Sequence, residues 1–130
     1  MPVTYLDSSA IVKLAVAEPE SPALRRHLRR RRPLVSSALA RTEVLRALLP
    51  AGPAAIAAGQ AVLTRLELLR VNGRVLLDAA ELEPIQLRTL DAIHLATARR
   101  FGTELGALIT YDERMQAAAI QLGFRTLSPA

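Results

Sequence analysis

Apolar residues fall into two kinds of run along this chain, short unbroken ones and longer ones at helical spacing, and the two kinds alternate. The first short run is Val3, Thr4, Tyr5 and Leu6, which stops at Asp7, Ser8 and Ser9. Such a run, rich in β-branched, aromatic and aliphatic residues and bounded by small polar ones, predicts a strand covered on both faces, as in a parallel sheet. Ile11, Val12, Leu14, Ala15 and Val16 then take up helical spacing. Glu18-Pro19-Glu20-Ser21-Pro22 interrupts it, and Ser21 before Pro22 has the form of an N-cap followed by a first helical proline. The helix this starts is basic: it carries Arg25, Arg26, His27, Arg29 and Arg30 and continues through Arg31 and Arg32 to Pro33. His27, set among arginines, is expected at the surface.

Leu34-Val35-Ser36 predicts a second strand, and Ser37 can cap a third helix from Ala38 to Leu49. Pro50-Ala51-Gly52-Pro53 ends that helix, and Ala54 to Arg65 reads as a fourth, antiparallel to the third because the connection is short. Leu66 to Val71 predicts a third strand, Asn72-Gly73 a turn or cap, and Val75 to Leu82 a helix, with Arg74 to Leu77 as the competing strand. After Glu83-Pro84, Thr89 can cap a helix from Leu90 to Arg100. It is apolar nearly all round, through Leu90, Ala92, Ile93, Leu95, Ala96 and Ala98, so it should be buried. Gly102 ends it. Ala107 to Tyr111 repeats the opening device, an apolar strand that stops at an aspartate, here Asp112. A helix with Met115, Ala118, Ala119 and Leu122 on one face follows, then Gly123 and a short strand from Phe124 to Leu127. Strands alternating with helices predict an α/β fold with a parallel sheet covered on both sides.

At 130 residues and 51% hydrophobic content the chain suits a single domain, 1–130. The absence of cysteine excludes disulfides, thiolate metal sites and cysteine nucleophiles. No apolar run approaches the roughly 18 to 20 residues of a membrane span, and no leader pattern opens the chain, so a cytoplasmic protein without membrane contact is expected. The net charge of +5 favours a polyanionic partner. Aromatic content of 3% is too low for base-stacking platforms, so contact with nucleic acid would run through backbone charge. Lys13 is the sole lysine among 17 basic residues, and the arginine run Arg29, Arg30, Arg31 and Arg32 reads either as a solvated face or as a phosphate-contacting patch.

Four acidic residues stand where a solvent-facing charge is not expected. Asp7 and Asp112 each end a predicted strand, and in a parallel sheet both project at one edge, where ligands bind. Each can equally be the N-cap of the helix after it. Asp91 lies in the first turn of the buried helix, where the macrodipole favours it but apolar surroundings do not. Glu43 shares a helix face with Leu39 and Ala47, inside the apolar arc of Ala40 and Val44, although Arg46 at i+3 offers a surface pair. If the four converged, each pair of charges at 4 Å would repel by about 4 kcal/mol at an effective dielectric near 20. A divalent cation relieves this, and oxygen-only ligands favour Mg²⁺ or Mn²⁺ over zinc. Such a centre polarises a phosphate and activates water.

Tyr5-Leu6-Asp7-Ser8-Ser9-Ala10 with Lys13-Leu14, Ser36-Ser37 through Glu43-Val44-Leu45-Arg46, Arg88-Thr89-Leu90-Asp91-Ala92-Ile93-His94-Leu95-Ala96, and Thr110-Tyr111-Asp112 follow one another over essentially the whole chain. In this order and spacing they resemble the PIN-domain ribonucleases, in particular the VapC-type toxins of toxin–antitoxin pairs. The resemblance implies a three-layer α/β/α fold with a five-stranded parallel sheet whose first and fourth strands are adjacent. It implies that Asp7, Glu43, Asp91 and Asp112 bind Mg²⁺ or Mn²⁺ and drive RNA cleavage. An antitoxin partner and a homodimer are likewise implied. Thr110 and Ser8 match accessory positions able to hold a water or phosphate, or they serve turns and caps; His94 reads as a satisfied structural histidine. The arginine run lies outside the family motif. Two alternatives compete. One is a phosphohydrolase with Asp7 as nucleophile, although Ser9 stands where such enzymes carry a second aspartate. The other is a basic nucleic-acid or partner-binding module whose carboxylates only cap helices. A receiver domain is disfavoured, since it needs an acidic pair after the first strand and a lysine after the last.

Overall fold

The computed structural model describes residues 2–130. Strand β1 (Val3–Leu6) leads into α1 (Ser8–Ala15), and α2 (Ser21–Leu28) into β2 (Leu34–Ser37). Helices α3 (Ala40–Leu48) and α4 (Pro53–Thr64) precede β3 (Glu67–Leu69). Helices α5 (Gly73–Ala80) and α6 (Thr89–Arg99) precede β4 (Leu105–Ile109), and α7 (Glu113–Gln121) precedes β5 (Thr126–Leu127). The strands form one five-stranded sheet in the order β3-β2-β1-β4-β5, with every neighbouring pair parallel. The expected adjacency of the first and fourth strands is present, with Thr4 opposite Ala107 and Leu6 opposite Ile109.

Alternation along the strands builds the three layers. On β1 and β4, Val3, Tyr5 and Leu108 face one core with Val75 of α5, the buried side of α6, and Met115 and Ala119 of α7. Leu6 and Ile109 face the other, with Ile11 of α1, Leu24 and Leu28 of α2, Val44 of α3 and Leu63 of α4. Burial on both faces explains why these strands read as unbroken apolar runs. Gly59 lets α4 lie close on α3, since a Cβ there would come within 2.5 Å of Leu48 Cδ1. Among the described residues no helix is long and apolar enough to cross a membrane.

Several boundaries differ from the sequence expectation. Helix α2 stops at Leu28, the last residue on its buried Leu24/Leu28 face, so Arg29 to Arg32 lie beyond it in the turn that enters β2. Ser21 is the first helical residue rather than a cap; its Oγ donates to the Lys13 carbonyl at 2.6 Å and ties α2 to the end of α1. Thr89 likewise begins α6, and Arg88 stands at the cap position without a side-chain cap bond. Ser37 ends β2, and its Oγ accepts from the Leu39 amide, so it shapes the turn into α3 rather than capping it. Strand β4 starts earlier and ends earlier than expected. It includes Gly106, where a Cβ would meet Pro2 Cβ at 3.1 Å, and it stops at Ile109. Leu90 is exposed, although the rest of α6 from Ala92 to Ala98 is buried. His27 is half-buried, its Nε2 enclosed without a hydrogen-bond partner, instead of open at the surface.

Candidate active site

Because all strands run the same way, their carboxyl ends share one edge of the sheet, and the four acidic residues stand along it. Asp7 follows β1 and caps α1: its Oδ1 accepts from the Ala10 amide at 3.0 Å and from Ser9 Oγ at 2.6 Å. Its Oδ2 accepts from Thr110 Oγ1 at 2.5 Å. Asp112 caps α7 through the amides of Arg114 and Met115, at 2.9 and 3.1 Å. The capping and the site readings of these two aspartates are therefore compatible, since each caps a helix while standing at the shared edge. Thr110 joins them, donating to Asp7 and accepting from the Asp112 amide at 3.1 Å.

Glu43 sits in the first turn of α3 and reaches across to α1 and α6. Its Oε1 accepts from Ser8 Oγ at 2.6 Å and lies 2.6 Å from His94 Nε2. The alternative surface pair with Arg46 does not form. The buried arc of α3 is Ala40, Val44 and Leu48; Ala47 is exposed, and Glu43 borders the arc instead of lying within it. His94 is a satisfied buried histidine, as expected, yet one of its partners is a site carboxylate. Ser8 Oγ lies 3.4 Å from the same Nε2, and Tyr5 Oη 2.7 Å from Nδ1. Burial pushes the Tyr5 phenol far above its ordinary pKa, so it keeps its proton beside the His94 ring.

The carboxylates respond differently to this environment. Burial raises the Asp7 pKa, against the lowering effect of its bonds from Ser9, Thr110 and the Ala10 amide. Burial also pushes Glu43 upward, but its contacts with His94 and Ser8 outweigh that and leave it below the usual range. Asp91, in the first turn of α6, is raised by burial first, then by the charge of Asp112, with Asp7 and Glu43 adding to it. Nothing that shifts Asp91 is a hydrogen bond: its carboxylate meets three like charges, offset in part by His94, and no donor.

Such a site fits a hard cation by its chemistry. The donors are carboxylate oxygens, sulfur is absent, and the one ring nitrogen nearby is committed to Glu43. Among the described residues no three His, Cys, Asp or Glu side chains have their donor atoms already gathered around one point. Asp7, Asp112 and Glu43 spend oxygens on local partners, and Asp91 is the carboxylate left with none.

Sequence reasoning passed over several contributors. Ser9 bonds Asp7 and accepts from the Tyr111 amide at 2.9 Å, joining α1 to the loop after β4. Its place two residues after Asp7 was the available signal. Lys13 extends the same join: its Nζ lies 4.9 Å from the Tyr111 ring centroid and 2.9 Å from Glu20 Oε1. Tyr111 is raised to about 12, by burial and then by Glu20. Arg88 and Arg114 line a cavity of about 230 Å³ that also includes Asp91. The arginine run is elsewhere. Arg30, Arg31 and Arg32 border a cavity of about 160 Å³ with Arg125, at the strand entries, and Arg29 and Arg32 border another with Arg25 and Arg65. The sequence model of the PIN domain matches residues 4–121. The chain belongs to the PIN-domain family. It is 62% identical over 130 residues, all of both chains, to a Mycobacterium tuberculosis protein named Ribonuclease VapC46. To Ribonuclease VapC35 of the same organism it is 40% identical over 129 residues, 96% of each chain. The crystal structure of Mycobacterium tuberculosis VapC20, titled a sarcin–ricin loop cleaving toxin, superposes with a TM-score of 0.76 at 20% identity, over 97% of this PIN domain chain and 99% of that one. A toxin–antitoxin complex from Klebsiella pneumoniae gives 0.73 at 19% identity, over 98% of each chain. Both structural likenesses support the PIN fold; at those identities they carry nothing finer.

Proposed function

We propose that this protein is a metal-dependent endoribonuclease of the VapC kind, the toxin of a two-component pair, cutting RNA phosphodiester bonds at the carboxyl edge of its sheet. VapC ribonucleases are metal-dependent and pair with antitoxins. In our reading the ion is Mg²⁺ or Mn²⁺, held by Asp7, Glu43, Asp91 and Asp112, and the chain is one domain that pairs with itself and with its antitoxin. The observation that carries the reading is Asp91, a partnerless carboxylate amid the charges of three others that come from distant parts of the chain. A helix cap needs no such crowding. When bound, the cation supplies charge neutralisation at the phosphate and a lowered pKa for the attacking water.

The chain's own residues do the rest. Asp7 is fixed by its three donors, so its free lone pairs have a set direction. His94, backed by Tyr5, holds Glu43 ionised, and Ser8 fixes the same oxygen. Ser8 and Thr110 thus act first as positioning residues. Arg29 to Arg32, remote from this edge, would attract flanking RNA by charge alone.

The test is cleavage of a mixed RNA pool by purified protein with Mn²⁺, with EDTA, and with Asp91→Asn as the contamination control. Cutting that needs the metal and disappears in the variant is the expected result. Equal cutting by variant and wild type would overturn the assignment of the site. The phosphohydrolase alternative expects a phospho-enzyme on Asp7, which acid-quenched labelling would reveal.

A further inference from the structure

Beside Asp91 the structure holds a cavity that none of the roles above uses. It lies between the loop before α6 and the outer side of α7, and encloses about 230 Å³. That is below the roughly 300 Å³ at which sites for drug-sized ligands begin. Its walls are mostly carbon, from Pro84, Leu87, Ala117 and Ala118. Its polar groups are two amides, Gln86 and Gln121, two guanidinium groups, Arg88 and Arg114, and the carboxylate of Asp91. Both glutamines and both arginines are exposed, while Ala118 closes the floor. A small, mostly apolar hollow rimmed by amides suits one unstacked nucleobase, whose faces are apolar and whose edges need donors and acceptors. With few aromatic rings in the chain, a base here would be held by apolar walls and by the planes of the two guanidinium groups rather than by ring stacking.

We infer that this cavity is the base subsite of the RNA, taking the nucleobase next to the phosphate that is cut, and that Gln86 and Gln121 read its edge while Arg88 and Arg114 hold the adjoining phosphates. The inference rests on the ribonuclease reading above. Placement supports it, because Asp91 belongs to both the cavity and the acidic edge, so a base seated there brings its own phosphate to the carboxylates. The chemistry divides the residues into two sets. Amides can discriminate bases through paired hydrogen bonds; guanidinium groups facing phosphates cannot.

The experiment sequences the fragments cut from a randomised RNA pool in Mn²⁺, by wild type, by Gln86→Ala/Gln121→Ala, by Ala117→Leu and by Arg88→Gln/Arg114→Gln. Wild type should prefer certain bases at one position beside the cut. The double glutamine variant should flatten that preference by about tenfold or more, at that position only. Ala117→Leu, which keeps a helix-forming apolar residue and fills the slot, should reject purines there. The arginine variant should weaken cutting at all sequences alike and lessen its salt dependence. Unchanged base preference in both the glutamine and the Ala117 variants, with cutting intact, overturns the subsite and leaves the nuclease standing. Absence of metal-dependent cutting by wild type overturns the nuclease reading itself.

Discussion

Several helix ends at the two edges of the sheet carry residues of opposite charge, and the topology accounts for the sign of each. At the carboxyl edge helices begin: Asp7 and Asp112 cap α1 and α7, and Glu43 and Asp91 lie in the first turns of α3 and α6. At the amino edge helices end: Arg29, Arg65 and Arg100 stand at the C-caps of α2, α4 and α6. The macrodipole favours acids at the first and bases at the second, by about 0.3 to 1 kcal/mol each at exposed positions. The difference lies in what exceeds that explanation. The arginines are exposed, and helix ends account for them. The acids are drawn together until Asp91 is pushed up in pKa, by burial first and then by the charge of Asp112, which capping does not require.

Substitutions at the two edges should therefore differ in kind. Asp91→Asn should lower RNA cleavage by at least about a hundredfold while leaving the fold as stable or more so, since it removes a charge the fold does not neutralise. The sign is testable by thermal unfolding. A folded-state pKa above the unfolded one means that wild type loses stability as pH rises from about 4 through the raised value, so the advantage of Asp91→Asn should open over that window and persist above it. Thr110→Val keeps the volume but strips Asp7 Oδ2 of its buried donor, and should cost about 2 kcal/mol in denaturant unfolding, along with most activity. Tyr5→Phe, which frees His94 to turn, should cost about 1 kcal/mol and reduce cleavage by roughly tenfold, the loss falling on kcat. Replacing Arg29 to Arg32 with glutamine should leave unfolding unchanged and weaken RNA binding only at low salt, less than Arg88→Gln/Arg114→Gln does. If the arginine run proves the larger of the two, the edges are not divided as described.

Much of this was legible in the sequence because it depends on local patterns. The stop from Leu6 to Asp7 marks a buried strand end, and β1, β4 and the buried run of α6 follow from continuous apolarity. The four acidic positions were visible for the same reason, each interrupting an apolar pattern. What failed to show depends on partners far along the chain. His94 reads as a core residue until α6 is laid across from α3, which brings it to Glu43, 51 positions earlier. Helix α2 ends where its buried face ends, at Leu28, a limit set by α1 and α4 rather than by helix propensity in the arginine run. Strand β4 stops at Ile109 because Thr110 and the Tyr111 amide turn back to bind Asp7 and Ser9, bonds that span 103 and 102 positions.

Strand β1 is central in the sheet, yet its partner β4 is made about a hundred residues later, with Thr4 set against Ala107. During synthesis Asp7 leaves the ribosome early, but Thr110 and Asp112, which complete its edge, come near the end. A chain made as far as α6 therefore holds three of the four carboxylates, Asp7, Glu43 and Asp91, but no β4 to align them, and long-range pairings such as β1 with β4 are the kind that slow folding. The acidic edge is thus completed only by the last-made elements of the chain.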